Sequence, residues 1–168
     1  VTSEVGDALS DTIDRIAATG AKIVDSWPDG VDPDEQAEEF SRQVELFFAL
    51  HGGEPTTMTV DQLLTTERNR LAARAKWQRY FEDIDVFLCP TSFTVAFPHG
   101  STTIDGRPYE AQVFWIAHAS LTGHPALSMP IGRTATGLPT AAQVIGPWHE
   151  DDTAITFAEL LAQHLGSR

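Results

Sequence analysis

The sequence is short of cysteine, of positive charge and of long apolar runs, and each shortage excludes something. A single cysteine, Cys89, leaves no partner for an intramolecular disulfide, so ordinary packing must hold these 168 residues and the expected compartment is the cytoplasm. Eleven Lys and Arg stand against 24 Asp and Glu, a formal net charge of −13. Such a chain repels a phosphate backbone, and nucleic acid is not an expected partner. No stretch approaches the roughly 18 apolar residues needed to cross a bilayer, and the acidic start lacks the cationic and apolar regions of a signal peptide, so no membrane partner is expected either.

Catalytic and cofactor patterns are equally scarce. There is no G-x-G-x-x-G, no G-x-x-x-x-G-K-[ST] and no H-E-x-x-H, so the usual cradles for dinucleotide, triphosphate and zinc are missing. His118 and His124 lie around a helix end without sharing a face, and no second Cys joins them; they read as packing or surface histidines, and no metal or cofactor is expected. No serine occupies a G-x-S-x-G elbow. Lys22 opens an apolar run beside acids and Lys76 sits among arginines, so neither lysine reads as a desolvated general base.

What is present suffices for a core, with 42% hydrophobic and 9% aromatic residues. Val5, Leu9, Ile13 and Ile16 predict a helix ended by Gly20. Residues 21–25 read as a strand, closed by the turn residues Trp27-Pro28-Asp29-Gly30. Asp32-Pro33-Asp34-Glu35 opens a second helix with a stripe of Phe40, Val44, Phe47 and Phe48, and with Glu35, Glu38 and Glu39 on a solvated face. Thr59 and Gln62 form a capping box for a third helix reaching about Asp83, burying Leu64, Leu71, Ala75 and Phe81; its arginines read as solvated. Residues 85–89 predict a strand covered on both faces, residues 91–110 a long functional loop, and residues 113–121 a buried helix. Strands at 126–129 and 141–145 precede a last helix capped by Asp151 or Asp152, with Ile155, Ala158, Leu161 and Leu165 inward. The sum is an α/β chain, read over 1–168 as a single unit.

The segment Asp85-Val86-Phe87-Leu88-Cys89-Pro90-Thr91 resembles the amidase signature family. The likeness continues through Ala96-Phe97-Pro98-His99-Gly100, Trp115, Thr122-Gly123-His124-Pro125-Ala126-Leu127-Ser128-Met129-Pro130 and Gly137-Leu138-Pro139-Thr140-Ala141-Ala142-Gln143-Val144-Ile145-Gly146-Pro147. It is strongest over 80–166. The resemblance implies a mixed sheet flanked by helices, incomplete in this chain, in an enzyme that hydrolyses carboxylic amides through an acyl-enzyme. Its nucleophilic Ser, a neighbouring Ser in a cis peptide and a buried Lys belong to an earlier segment. Here Gly52-Gly53 is followed by Glu54-Pro55 rather than by serines, so no catalytic residue carries over.

What carries over is part of the wall of the acyl pocket, assigned by the resemblance to Thr91, Phe93, Val113, Trp115 and Ala117. The implied partners are a small-molecule amide, an N-terminal catalytic segment and further copies of the chain. Amidotransferase subunits of the family have an acidic residue and Asn-Leu-Ala-Gly where this chain has Trp115 and Ser120-Leu121-Thr122-Gly123, so a simple amidase is the closer match. Two alternatives stay open: a stand-alone, non-catalytic binding module derived from an amidase, and an independent hydrolase using Ser92 and His99.

Overall fold

The computed structural model describes residues 1–166. Helix α1 (Ser3–Ala18) buries Val5 and Ile16, and Gly20 takes the left-handed conformation (φ 92°) after its last turn. Residues 21–25 are not the expected strand. They meet no strand to pair with among the described residues, and Ile23 and Val24 remain exposed; β-prone side chains make a strand only against a neighbour. The turn forms where expected, with Val31 N donating to Pro28 O at 3.0 Å.

Helix α2 (Pro33–Leu50) begins as its sequence dictates: Asp32 Oδ1 accepts from the N–H groups of Asp34 and Glu35 at 2.9 and 3.2 Å. Its inward face differs from the expectation. Gln36 and Glu39 are buried and Phe40 and Val44 partly buried, whereas Phe47 and Phe48 near the end of the helix are 55% and 59% exposed, so the acidic run is not wholly solvated and the expected stripe is covered only over its first half. Helix α3 (Val60–Tyr80) has the full capping box of Thr59 and Gln62. It buries Thr66, Ala73 and Trp77 and exposes Leu64 and Leu71. Positions 64 and 66, like 71 and 73, are about 200° apart around the helix, so turning Trp77 inward turns the leucines out. The larger indole decides the rotation.

Strand β1 (Phe87–Pro90) is followed by a long loop that carries only a small hairpin, β2 (Thr103–Ile104) with β3 (Arg107–Pro108). The hairpin turns at Asp105 and Gly106, both at positive φ (51° and 73°), the geometry of a two-residue type I′ connection. A 3-10 turn (Tyr109–Val113) leads into α4 (Phe114–Thr122), which is apolar nearly all round and ends at left-handed Gly123 (φ 75°). Strands β4 (Ala126–Arg133) and β5 (Pro139–Ile145) and helix α5 (Asp151–Leu165) complete the order. Glu150, not Asp151 or Asp152, is the N-cap of α5 and makes no side-chain cap bond; the two Asp place negative charge in the first turn. Ile155 points outward, and Leu161 with Ala154 packs inward.

The sheet order is β1-β5-β4, antiparallel throughout, with Cys89 opposite Gln143 and Gln143 opposite Ser128. Within it β1 is an edge strand, yet both of its faces are covered as expected, Leu88 packing on the α1 and α5 side and Phe87 and Cys89 on the α3 and α4 side. Central β5 alternates: Ala142 and Val144 join Ile16, Met129, Ile131 and Leu161 under α1 and α5, while Ile145 faces Trp77, Cys89 and Ala119 beneath α3 and α4. Pro130 sits on edge strand β4, where the register shifts before Gly132. No helix among the described residues is long and apolar enough to cross a membrane.

Candidate functional site

The loop after β1 is tied down at its start, where Thr2 N donates to Phe93 O at 2.8 Å. Phe93 is buried there against Phe114 (ring centroids 5.4 Å apart) and edge-to-face against Trp115 (6.0 Å), and the Arg107 guanidinium lies 4.2 Å from the centre of its ring. Trp115 in turn stacks on Trp27 at 6.1 Å, and its carbonyl accepts from Gln143 Nε2 at 3.0 Å. The central strand thus fixes the helix that presents the indole.

Of the five residues expected in a pocket wall, Phe93 and Trp115 are in contact, and Thr91 Oγ1 lies 3.3 Å from Ser128 Oγ on β4. Val113 is partly exposed at the start of α4, and Ala117 is wholly enclosed. Two donors nearby, Trp115 Nε1 and Gln112 Nε2, are buried without an acceptor. Ser92 Oγ donates to Gln112 Oε1 at 2.8 Å, and His99 is exposed; no Ser92–His99 hydrogen bond forms. Cys89 is no better a nucleophile, because burial pushes its thiol up to about 12. Lys22 is exposed, and Lys76 Nζ is engaged by the carbonyl of Gly30.

Beside these aromatic residues lies a polar cluster that the sequence did not reveal. Gln36 Oε1 accepts from Trp77 Nε1 at 3.2 Å and lies 3.1 Å from His118 Nδ1. An amide oxygen has no proton to give, so His118 carries its proton on Nδ1, and Nε2 is left as a bare acceptor with no partner. Thr122 Oγ1 donates to His118 O at 2.7 Å and therefore accepts from His124 Nδ1 at 2.8 Å, which leaves His124 Nε2 bare as well. Burial holds both imidazoles down at about 4, with the Arg74 charge a lesser cause for His124. They are packing histidines. Gln36 and His118 are 82 positions apart, and no local pattern pairs them.

The arginines of α3 are not all solvated either. Arg74 Nε donates to Thr122 O at 2.6 Å, and its guanidinium lies 4.7 Å from the centre of the Trp148 ring. Beside it, at the end of α4, a cleft of about 430 Å³ is lined by Ser120, His124, Gln143, His149 and Asp151, among others. No three His, Cys, Asp or Glu among the described residues are placed to hold a metal ion.

An antiparallel sheet between two helical layers, with a long loop after its edge strand packed on Trp115, makes this an α/β protein. Residues 1–155 match the Amidase family, and the chain belongs to it. A glutamyl-tRNA(Gln) amidotransferase subunit of Halothermothrix orenii is 30% identical over 105 residues, 62% of this chain and 22% of that protein. The corresponding subunit of Thermus thermophilus is 37% identical over 100 residues, 57% of this chain and 20% of that protein. A crystal structure of an amidase superposes with a TM-score of 0.77 at 20% identity, covering 99% of this chain and 43% of the other, a likeness of fold. The matched part of the chain therefore spans only about a fifth of the length of these curated relatives. Both carry the amidotransferase name, whereas the resemblance at Trp115 and Ser120-Leu121-Thr122-Gly123 led to the expectation of a simple amidase.

Proposed function

We propose that this chain is part of an enzyme that hydrolyses non-peptide carboxylic amide C–N bonds through an acyl-enzyme, and that the Ser/cis-Ser/Lys centre lies in an N-terminal segment outside these 168 residues. The observation that carries the reading is the Amidase match over residues 1–155, which includes the braced pair Phe93 and Trp115. In this reading the serine oxygen attacks the amide carbonyl carbon, the C–N bond breaks, and the amine leaves with a proton relayed from the lysine side. Water then cleaves the ester.

The chain's contribution is sheet and wall. Phe93 and Trp115 offer an apolar surface to the acyl group, with Thr91 at its β4 side, Val113 at its rim, and Ala117 enclosed in the same helix. The acceptor-less donors Trp115 Nε1 and Gln112 Nε2 suit a carbonyl oxygen brought from outside the chain. The substrate is a small-molecule amide, and the residues act as one unit with the catalytic segment. Copies of the chain associate through the apolar end of α2 and α3, where Phe47, Phe48, Leu50, Val60 and Leu64 are all exposed.

Two measurements test this. The DNA on the 5′ side of the Val1 codon is expected to encode, in frame, a Gly- and Ser-rich segment with paired serines; a stop codon followed by an independent start would favour a stand-alone, non-catalytic module. The purified chain alone is expected to turn over aryl amides no faster than water does. Robust turnover abolished by Ser92→Ala or His99→Ala would place the centre in this chain and overturn the reading.

A further inference from the structure

Helices α2 and α3 do not close on each other along their length. Two clefts open between them, one of about 520 Å³ and one of about 420 Å³, and Glu39, Arg42 and Asn69 line both. Glu39 is only 6% exposed, and its Oε1 is buried with no hydrogen-bond partner. The other oxygen is weakly served: Arg42 and Asn69 each approach Oε2 only to 3.4 Å, and Arg42 is shared with Glu38 at 4.0 Å. A buried carboxylate oxygen without a donor is costly, and native proteins supply one.

The surroundings specify what that donor is. One cleft adds Glu45 and Asp61, the other Asp32, Glu35 and Glu38, against Arg42 and Lys76 alone. The groove is therefore a negative channel that meets at one unsatisfied carboxylate. No three acidic or His side chains among the described residues converge closely enough for a metal ion. Met58 offers an apolar stretch between them, and an ammonium has three donors to divide among Glu39 Oε1 and neighbouring oxygens such as that of the Asn69 amide.

We infer that the groove between α2 and α3 binds an aliphatic diamine or polyamine, with one ammonium seated on Glu39 and a second toward Glu45 and Asp61. The site is separate from the Phe93–Trp115 wall and does not depend on amide hydrolysis. Calorimetric titration of the chain with putrescine and with spermidine at physiological salt tests it, with amide resonances followed by NMR in parallel. The expected result is saturable binding, with shifts centred on Glu39, Asp61 and Asn69. Glu39→Gln is expected to weaken it about tenfold or more, as for a lost charge-assisted hydrogen bond. Glu4→Gln, on α1, is expected to leave it unchanged. Should Glu39→Gln fail to fold, the double variant Glu45→Gln with Asp61→Asn must show the weakening instead. Unsaturable binding, shifts scattered over the acidic surface, or equal loss in Glu4→Gln would overturn the site. Tighter binding of an N-acetyl-lysine amide than of either amine would assign the groove to a lysine side chain of another polypeptide segment and overturn the free-amine proposal.

Discussion

The buried histidines make stability depend on pH in a window where most carboxylates do not yet titrate. His118 is neutral in the folded chain, with its proton on Nδ1 toward Gln36 and its bare Nε2 enclosed; protonation would create a charge and a donor with nothing to receive it. Its folded value is held at about 4 by burial, against 6.5 when unfolded. Above 6.5 neither state binds the proton and stability is flat; as pH falls through 6.5 toward 4, the unfolded state takes it up first and stability is lost. For His118 alone the loss comes to about 2 kcal/mol between about pH 7.5 and about pH 5. His124 adds to it in the same direction. Glu67, held low by its hydrogen bond with Arg70, titrates below this window. With a urea m-value of about 2 kcal/mol/M, the midpoint is expected to fall by about 1 M or more across the window. His118→Gln can still donate to Gln36 but cannot titrate, and it should remove its share of the slope. A variant that keeps the full slope, or a wild-type midpoint that does not move, would refute the argument.

Three further outcomes follow from the packing. Arg74→Met should lower stability by about 1–2 kcal/mol in chemical denaturation, because it removes the donor to Thr122 O and the cation above Trp148. Ile145→Ala, at a fully buried position in the central strand, should cost about 2–5 kcal/mol by the same assay, and a cost under about 1 kcal/mol would show that this side of the sheet is loosely packed. Sedimentation equilibrium should detect self-association of the chain that Phe47→Ser with Phe48→Ser weakens, since both rings are largely exposed; an unchanged monomer in both cases would remove the proposed contact surface.

Much of the fold was legible because its signals are local. The Asp32 cap, the Thr59–Gln62 box and the left-handed Gly123 each act within a few residues of where they are read, and all three form as their sequences indicate. The failures share the opposite character. A strand at 21–25 required a partner that local propensity cannot supply. The rotation of α3 was set by Trp77, whose fit depends on Trp27, Phe87 and His118 from three distant segments. Periodicity gave the helix its length and missed its inward face.

The candidate site divides along the same line. Phe93 and Trp115 came from short blocks of sequence that resemble the family, and their contact then rests on a bracing bond from Gln143, a residue inside one of those blocks. Gln36 belongs to no such block, yet its one oxygen receives both Trp77 and His118 and so locks α2 to α3 and α4 at a single atom. Phe47 lies within about 20° of Gln36 around the helix, so its exposure comes from its place near the end of α2 and not from the rotation of the helix. An apolar residue at position 36 would leave the Trp77 indole N–H and the His118 Nδ1–H without an acceptor, a desolvation cost of about 1–3 kcal/mol for each group. For the two groups together that is about 2–6 kcal/mol, which offsets or outweighs the roughly 1.5–3 kcal/mol that one more buried hydrocarbon side chain would return. A polar residue is therefore favoured at a buried position of an amphipathic helix by partners that only the tertiary structure brings to it.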